Sequence, residues 1–409
     1  MATVTVKSTS GGDYTTIATA FNNVDPGDII EIIDEATYSE NNISISDNNI
    51  TLQHTASELG RPKIDSSAGD HVFVARGKTG LIFNGLEMIG NDNNNGNTTV
   101  FDINIGSNEL DGLEINDCFI HGFSGMFDSD AQGGSSTPIK FKQSSLMFCA
   151  GNRESLMFAQ NSYVEVENCF LSRSHGGGAF SILRSRSGSP NATASFSTFV
   201  LNYPDAAGTS GHFAIETWGK VINCVVSGNA SATGLKCIDA IDHTFNVVNT
   251  TGTPFLDGAS SADSAAASET TDAVTFVNGS STGRTESVVQ NFALSAGSVG
   301  IDQGTSFNSI AVDINNTARP QNGSFDMGAF ELFVSSDPFT DADGNETFTL
   351  KYGTNSFELR TTANRLITRR FATTSDNRQA PYSTTIRGPA NIRGRETAYK
   401  VEAGNEGNG

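Results

Sequence analysis

Five stretches of the chain repeat one another at a near-constant interval: LEINDCFI from Leu113, IKFKQSSL from Ile139, VEVENCFL from Val164, ASFSTFVL from Ala194 and KVINCVVS from Lys220. Aligned on the residue after a polar corner, they place Cys118, Ser144, Cys169, Thr198 and Cys224 in one column, 26, 25, 29 and 26 residues apart, with Leu86 and Val247 as outer members. A period in the twenties means stacked units, each burying its apolar face on the next. Within each unit apolar residues alternate, as in Leu113/Ile115, Ile139/Phe141 and Val164/Val166. The repeating element is therefore a short strand. Strands recurring in one direction, one per coil, predict an all-β fold: a single-stranded right-handed parallel β-helix with an N-terminal capping helix and a C-terminal extended arm or small β appendage.

Equivalent residues of successive coils lie about 4.8 Å apart and form columns. Cys118, Cys169 and Cys224 belong to an inward column of small residues. The corner before it carries Asp117, Gln143, Asn168 and Asn223, expected to bond to one another and to turn backbone. Outward, Glu114, Lys140 and Glu165 form one column and Asn116, Lys142 and Glu167 another. Lysine between carboxylates compensates charge, so these acids read as a solvated structural ladder rather than an acid–base pair.

The net charge of −20 is unevenly spread. Residues 1–331 carry 15 Lys/Arg against 36 Asp/Glu, and residues 332–409 carry 10 against 9. From Glu358 to Lys400 there are 9 basic and 3 acidic residues. An acidic body disfavours nucleic acid as a partner. The basic tail suits either solvent or an acidic protein surface, through Arg365, Arg369, Arg370, Arg378, Arg387, Arg393, Arg395, Tyr382 and Tyr399. The five cysteines are odd in number and lack zinc spacing, which reads as buried free thiols. MATVTVKSTSGG is not an export signal, and no apolar run is long enough for membrane insertion. Folding in a host cytoplasm with release by lysis is the expectation.

Three segments are predicted: an N-terminal cap over 1–28, the β-helix with closing coils over 29–331, and a C-terminal attachment arm over 332–409. In the cap, Ile17, Ala20, Phe21 and Val24 share a helical face, with Asp13 as N-cap and Pro26-Gly27 as stop. The Ala/Ser-rich run from Gly258 to Asp272 reads as an exposed loop. Strands are expected in TFTLKY, SFELRTT and RLITRRF, and the Gly- and Pro-rich remainder of the tail is too weakly periodic for a core, so that packing against another chain is expected to order it.

The opening coils, GDIIEI, ATYSENNISIS and NNITLQ, resemble those of pectate-lyase-like right-handed β-helix proteins. That superfamily includes lyases, hydrolases, epimerases and adhesins, so the resemblance implies a fold and not a chemistry. Ser295, Asp302, Gly304, Asp313, Arg319, Pro320, Asp326, Gly328, Ala329, Phe330 and Glu331 are similar to the end of choice-of-anchor Q β-helix proteins. There they imply a closing clasp in which Arg319 pairs with Asp313 or Asp326 and ties the last coil.

For chemistry, Asp239, Asp242 and His243 in CIDAIDH, with His212 and Glu216 one coil earlier, come nearest to a polygalacturonase-like cluster. His175-Gly176-Gly177 reads as a turn, and Arg184 and Arg186 have no obvious acidic neighbours for lyase chemistry. DADGNE from Asp341 begins like a calcium loop but lacks the later ligands, so no metal or cofactor is expected. The leading expectation is a non-enzymatic structural protein of a bacteriophage virion, either a capsid decoration or a tail or fibre component. Its partners would be other virion proteins, reached through 332–409, with self-association and host surface polysaccharide as further candidates. The alternatives are a tailspike-like polysaccharide lyase or glycoside hydrolase, or an extracellular carbohydrate-binding adhesin at a cell surface.

Overall fold

Residues two apart in the repeats occupy the same face, and that alternation closes the chain into parallel ladders. The computed structural model describes residues 1–55, 60–91, 98–103, 110–127, 131–132, 137–148, 155–160, 164–173, 181–186, 193–201, 212–216, 219–228, 235–249, 253–256, 265–272, 274–278, 291–295, 297–308, 310–321 and 323–332, together with five strands at 348–353, 356–361, 366–371, 383–387 and 398–402.

A ten-stranded sheet takes one strand per coil, from Thr3–Val6 through Ile82–Asn84, Glu114–Asn116, Ile139–Lys142 and Val164–Glu167 to Asp242–Thr244. After a short corner each coil enters a nine-stranded sheet, which runs from Thr37–Tyr38 through Phe119–Phe123, Phe170–Arg173 and Thr198–Leu201 to Val247–Asn249. The third side is a four-stranded sheet in the early coils and a six-stranded one later, the latter holding Ser181–Arg186, His212–Glu216 and Leu235–Asp239. Neighbouring strands are parallel in all these sheets, as in Glu114↔Lys140↔Glu165 and Asn116↔Lys142↔Glu167. The protein is a right-handed parallel β-helix. The first strand, Thr3–Val6, already belongs to the long sheet, so the segment expected as a separate cap contains a rung of the solenoid.

Phenylalanines fill the interior. Phe73 stacks on Phe101 at 5.6 Å and Phe101 on Phe127 at 6.0 Å, with Phe83 closing the cluster 4.8 Å from Phe73. Each such buried ring contributes about 1.5–3 kcal/mol.

The corner column has left-handed backbone: φ is 50° at Asp117, 46° at Gln143, 56° at Asn168 and 55° at Asn223. Short polar side chains tolerate that conformation best. One coil departs from the expected register. Thr198 pairs with Phe170 and with Val225, so Ser197 is the inward residue and Phe196, with φ 45°, occupies the corner. The same shift applies at the outer end, where Val247 pairs with Val225 and Asn246 is the inward residue. The serine hydroxyls close the inward column: Ser144 Oγ accepts from Cys118 N at 3.1 Å and Ser197 Oγ from Cys169 N at 3.1 Å.

Both ends are covered. Near the first coils the helix is Ile17–Phe21, with Ile17, Ala20, Phe21 and Val24 buried as the pattern predicts. Its N-cap is Thr16 rather than Asp13, whose carboxylate instead accepts from the backbone N and hydroxyl of Thr5. Glu40 accepts from the amides of Ile17 and Ala18, both at 2.8 Å, and so satisfies the helix start from another coil. At the other end, residues 265–272 pack on the last coil, where Thr270 bridges to Val247 and Glu269 reaches inward. That part of the Ala/Ser-rich run thus covers the end of the solenoid through Glu269 and Thr270, while Ala265, Ala267, Thr271 and Asp272 are exposed as expected of a loop.

The described residues between 274 and 332 then lie along the outside. Phe292 stacks on Phe170 at 4.6 Å, and Phe276, Ile314 and Phe330 join Met147 and Val200 in a cluster on the outer face of the nine-stranded sheet. A second cluster joins Val225 and Val247 to Val274, Leu294 and Met327. The region expected to close the last coil therefore lies on the flank of several coils.

The chain divides into two compact units, Met1–Leu332 and Phe333–Gly409. In the second, Phe348–Gly353, Ser356–Thr361 and Leu366–Phe371 form an antiparallel sheet. Ser383–Arg387 pairs antiparallel with Ala398–Glu402, so the stretch expected to lack a core of its own contains a strand pair, in which Thr384, Thr385, Ile386 and Val401 are β-branched and Tyr399 is aromatic.

Candidate functional site

Alternation along Asp242–Thr244 separates two of the candidate catalytic residues. Asp242 is exposed and pairs with Lys220 at 2.8 Å, continuing the outward column in which Lys140 pairs with Glu114 at 3.3 Å. His243 faces inward beside Val221, stacked on Phe255 at 5.0 Å. Its Nδ1 lies 2.9 Å from Glu269 Oε2, and the two side chains are 6% and 0% exposed. Asn246 Nδ2 donates to the other Glu269 oxygen at 2.7 Å. This polar set lies inside the end of the solenoid. Sequence reasoning missed Glu269, which no periodicity or motif sets apart from Asp263 and Asp272 in the same Ala/Ser-rich run.

The remaining candidates lie on the six-stranded sheet, where only backbone register is at issue. Arg184, Glu216 and Asp239 are direct partners on three successive strands, and His212 pairs with Leu235 at the strand starts. The residues before the two acids, Ile215 and Ile238, are buried. Register partners in adjacent strands are about 4.8 Å apart along the backbone. Arg186 pairs with Gln160 in the same sheet, and His175, Gly176, Gly177 and the DADGNE string lie outside the described residues. Among the described residues, no group of three or more His, Cys, Asp or Glu could hold a metal ion. Burial pushes the thiols of Cys169 and Cys224 up to about 12 and that of Cys118 up to about 11, which leaves them as inert core.

The most elaborate polar site is built where the returning segment crosses the corner column. Asn223 donates to Thr305 O at 2.7 Å and accepts from Thr305 N at 2.9 Å. Asn168 donates to Val312 O at 3.1 Å, and Gln143 reaches Asp313 O at 3.4 Å. The corner side chains thus serve the returning strap rather than one another. Asp117 is held by Arg61.

At the centre is Arg319, its side chain fully buried. Nη1 donates to Asp326 O at 3.1 Å and Nη2 to Gly328 O at 2.8 Å, while the guanidinium sits 4.8 Å over the Phe196 ring. Its carboxylate partner is Glu331, at 3.6 Å, and not Asp313 or Asp326 as the sequence suggested. Those two instead fasten backbone: Asp313 accepts from Asn315, Thr317 and Glu331 amides, and Asp326 from Asp302 and Leu332 amides. Gly328, with φ +90°, lies where a Cβ would come 2.7 Å from Thr198 Oγ1. That close approach lets Ala329 N donate to the same hydroxyl at 2.9 Å. Burial raises the carboxyls of Asp313 and Asp326 and pushes Glu331 up to about 7, while it lowers Arg319.

Of the residues expected to bind a partner, Arg369 and Arg370 lie in the middle strand pairing, opposite Glu358 and Phe357, and Arg387 and Tyr399 in the hairpin. Arg365, Arg378, Tyr382, Arg393 and Arg395 lie outside the described residues.

No family model and no curated protein matches the chain. Among solved structures it is similar to a pectin methylesterase from Aspergillus niger, with 14% identity over 66% of this chain and 90% of that one and a TM-score of 0.38. It is also similar to the pectate lyase Pel9A, with 17% identity over 81% and 96% and a TM-score of 0.35. Neither likeness bears on function.

Proposed function

We propose that this protein is a non-enzymatic structural component of a bacteriophage particle, an acidic β-helix carried by a C-terminal attachment unit spanning 332–409. The observation that carries the reading is the break at Leu332: a compact solenoid ends in a clasp, and a separate β unit of opposite charge balance follows. A net-negative rod resists self-association, whereas 9 basic residues against 3 between Glu358 and Lys400 suit an acidic docking surface. The ion-paired outer columns agree with a scaffold role, since such exposed pairs contribute little beyond solubility.

Co-sedimentation with particles of the encoding virus tests this. The full chain is expected to travel with the particles, and a chain ending at Leu332 or an Arg369→Glu/Arg370→Glu double variant to remain in the supernatant. Particle-bound truncated chain would refute the attachment role.

One observation favours a second reading, a polysaccharide-cleaving enzyme: the register that sets Arg184, Glu216 and Asp239 side by side. Under it, Glu216→Gln or Asp239→Asn would lower release of reducing ends or unsaturated sugars from host polysaccharide by at least about a hundredfold. Under the scaffold reading the unmodified chain releases none.

A further inference from the structure

The returning strap covers the outer face of the nine-stranded sheet, and paired charges solvate that of the ten-stranded one. Among the described residues, neither is found on the six-stranded sheet. Its register sets Met157, Leu183, Ile215, Ile238 and Phe255 in one column, and the last three are buried inside the solenoid. Alternation assigns the positions on either side of that column to the outer face. One residue earlier on the same strands stand Leu156, Ile182, Ala214, Cys237 and Pro254. One residue later stand Phe158, Arg184, Glu216, Asp239 and Leu256, direct register partners from strand to strand. Ala240 and Ile241 continue the alternation past Asp239, the alanine buried and the isoleucine 57% exposed. A parallel sheet with an apolar column on each face needs cover on both.

The net charge of the body opposes contact between rods in general, so copies can meet only on a face where charge balances. This one balances: Arg184 and Arg186 lie on one strand, and Glu216 and Asp239 on the next two. The order along the axis also fixes how two copies fit. A two-fold axis parallel to the strands reverses the order of the coils and keeps each column in place, so the apolar column meets itself. With that axis between Ser181–Arg186 and His212–Glu216, Arg184 of each copy comes opposite Glu216 of the other, and Ile182 opposite Ala214. A parallel pairing through the same charged column would set Arg184 against Arg184.

We propose that the outer face of the six-stranded sheet is an interface between two copies of this chain, lying antiparallel about that axis. The pairing is independent of what the C-terminal unit grips, and it takes the face that a polysaccharide-cleaving site would leave open. Six strands of up to six residues, about 4.8 Å apart with a rise of about 3.3 Å per residue, give roughly 500 Å² per copy. That area lies at the low end for specific contacts, so the pairing is weak and depends on concentration.

Sedimentation velocity of the full chain from about 1 to 300 µM reads the pairing directly. The unmodified chain is expected to pass from monomer to dimer across this range. Arg184→Glu sets Glu opposite Glu and should weaken the dissociation constant by at least about tenfold. Arg184→Glu/Glu216→Arg restores the pair with its signs exchanged, and should bring the constant back to within about threefold of the unmodified chain. If Arg184→Glu does not fold, Glu216→Arg alone serves in its place, since it sets Arg opposite Arg. An unmodified chain that stays monomeric throughout the range, or that forms a trimer, overturns the proposal. So does a dimer that the single variants leave unchanged, which would put the contact on another surface, and so does a double variant no stronger than the singles.

Discussion

The outer faces of two sheets in one solenoid are built on opposite principles. On the ten-stranded sheet, the outward column carries Glu114, Lys140, Lys220 and Asp242, paired across neighbouring coils and open to water. On the nine-stranded sheet, the outward positions include Met147, Phe170, Val200 and Val225, covered by the chain's own return through Phe292, Leu294, Met327 and Phe330. The same coil geometry thus makes a solvated face where charges alternate between coils and a second core where they do not. A parallel sheet apolar on both faces needs cover on both, and here a returning strap supplies it without a helix.

The comparison predicts unequal sensitivity. The largest effect belongs to Phe170→Ala, which empties the stack with Phe292 and should destabilise the chain by about 3–5 kcal/mol in denaturant unfolding. A loss under about 1 kcal/mol would mean that the cover is not a core. Asn223→Ala keeps the coil but removes both bonds to Thr305 and strains a left-handed corner; a cost of about 1–3 kcal/mol is expected, with faster exchange at Thr305. Unchanged exchange there would detach the strap from the corner column. Smallest is Lys140→Ala on the open face, expected to cost at most about 1 kcal/mol and to lose even that at high salt. A larger, salt-insensitive loss would erase the distinction between the two faces.

How far the residues alone disclose this depends on how locally each feature is encoded. Columns such as Glu114/Lys140/Glu165 are legible because alternation and period are local, and the structure reproduces them. The one-residue slip at Phe196 and Ser197, repeated at Phe245 and Asn246, goes with an aromatic residue at a left-handed corner that Asp117, Gln143, Asn168 and Asn223 hold elsewhere; Phe196 is packed from afar, by Arg319 and Phe325. Long-range partners explain the other misses as well. Arg319 was recognisable as a buried cation, but whether Asp313, Asp326 or Glu331 pairs with it depends on how the strap turns, which no spacing encodes. Likewise Glu216 and Asp239 are 23 residues apart, one coil, and their register was visible, whereas Asp242 and His243 are adjacent and hence on opposite faces.

Glu269 gives the solenoid a defined length. Its carboxylate occupies the last rung's interior beside His243 and Asn246, where an additional turn would have to set hydrocarbon. Any further strand, from this chain or from a neighbouring molecule, would stack on a rung whose interior is already filled by this hydrogen-bonded polar set, and would gain less than stacking gives on the apolar rungs. A single acid thus works as a full stop in a fold whose geometry would otherwise permit unlimited growth.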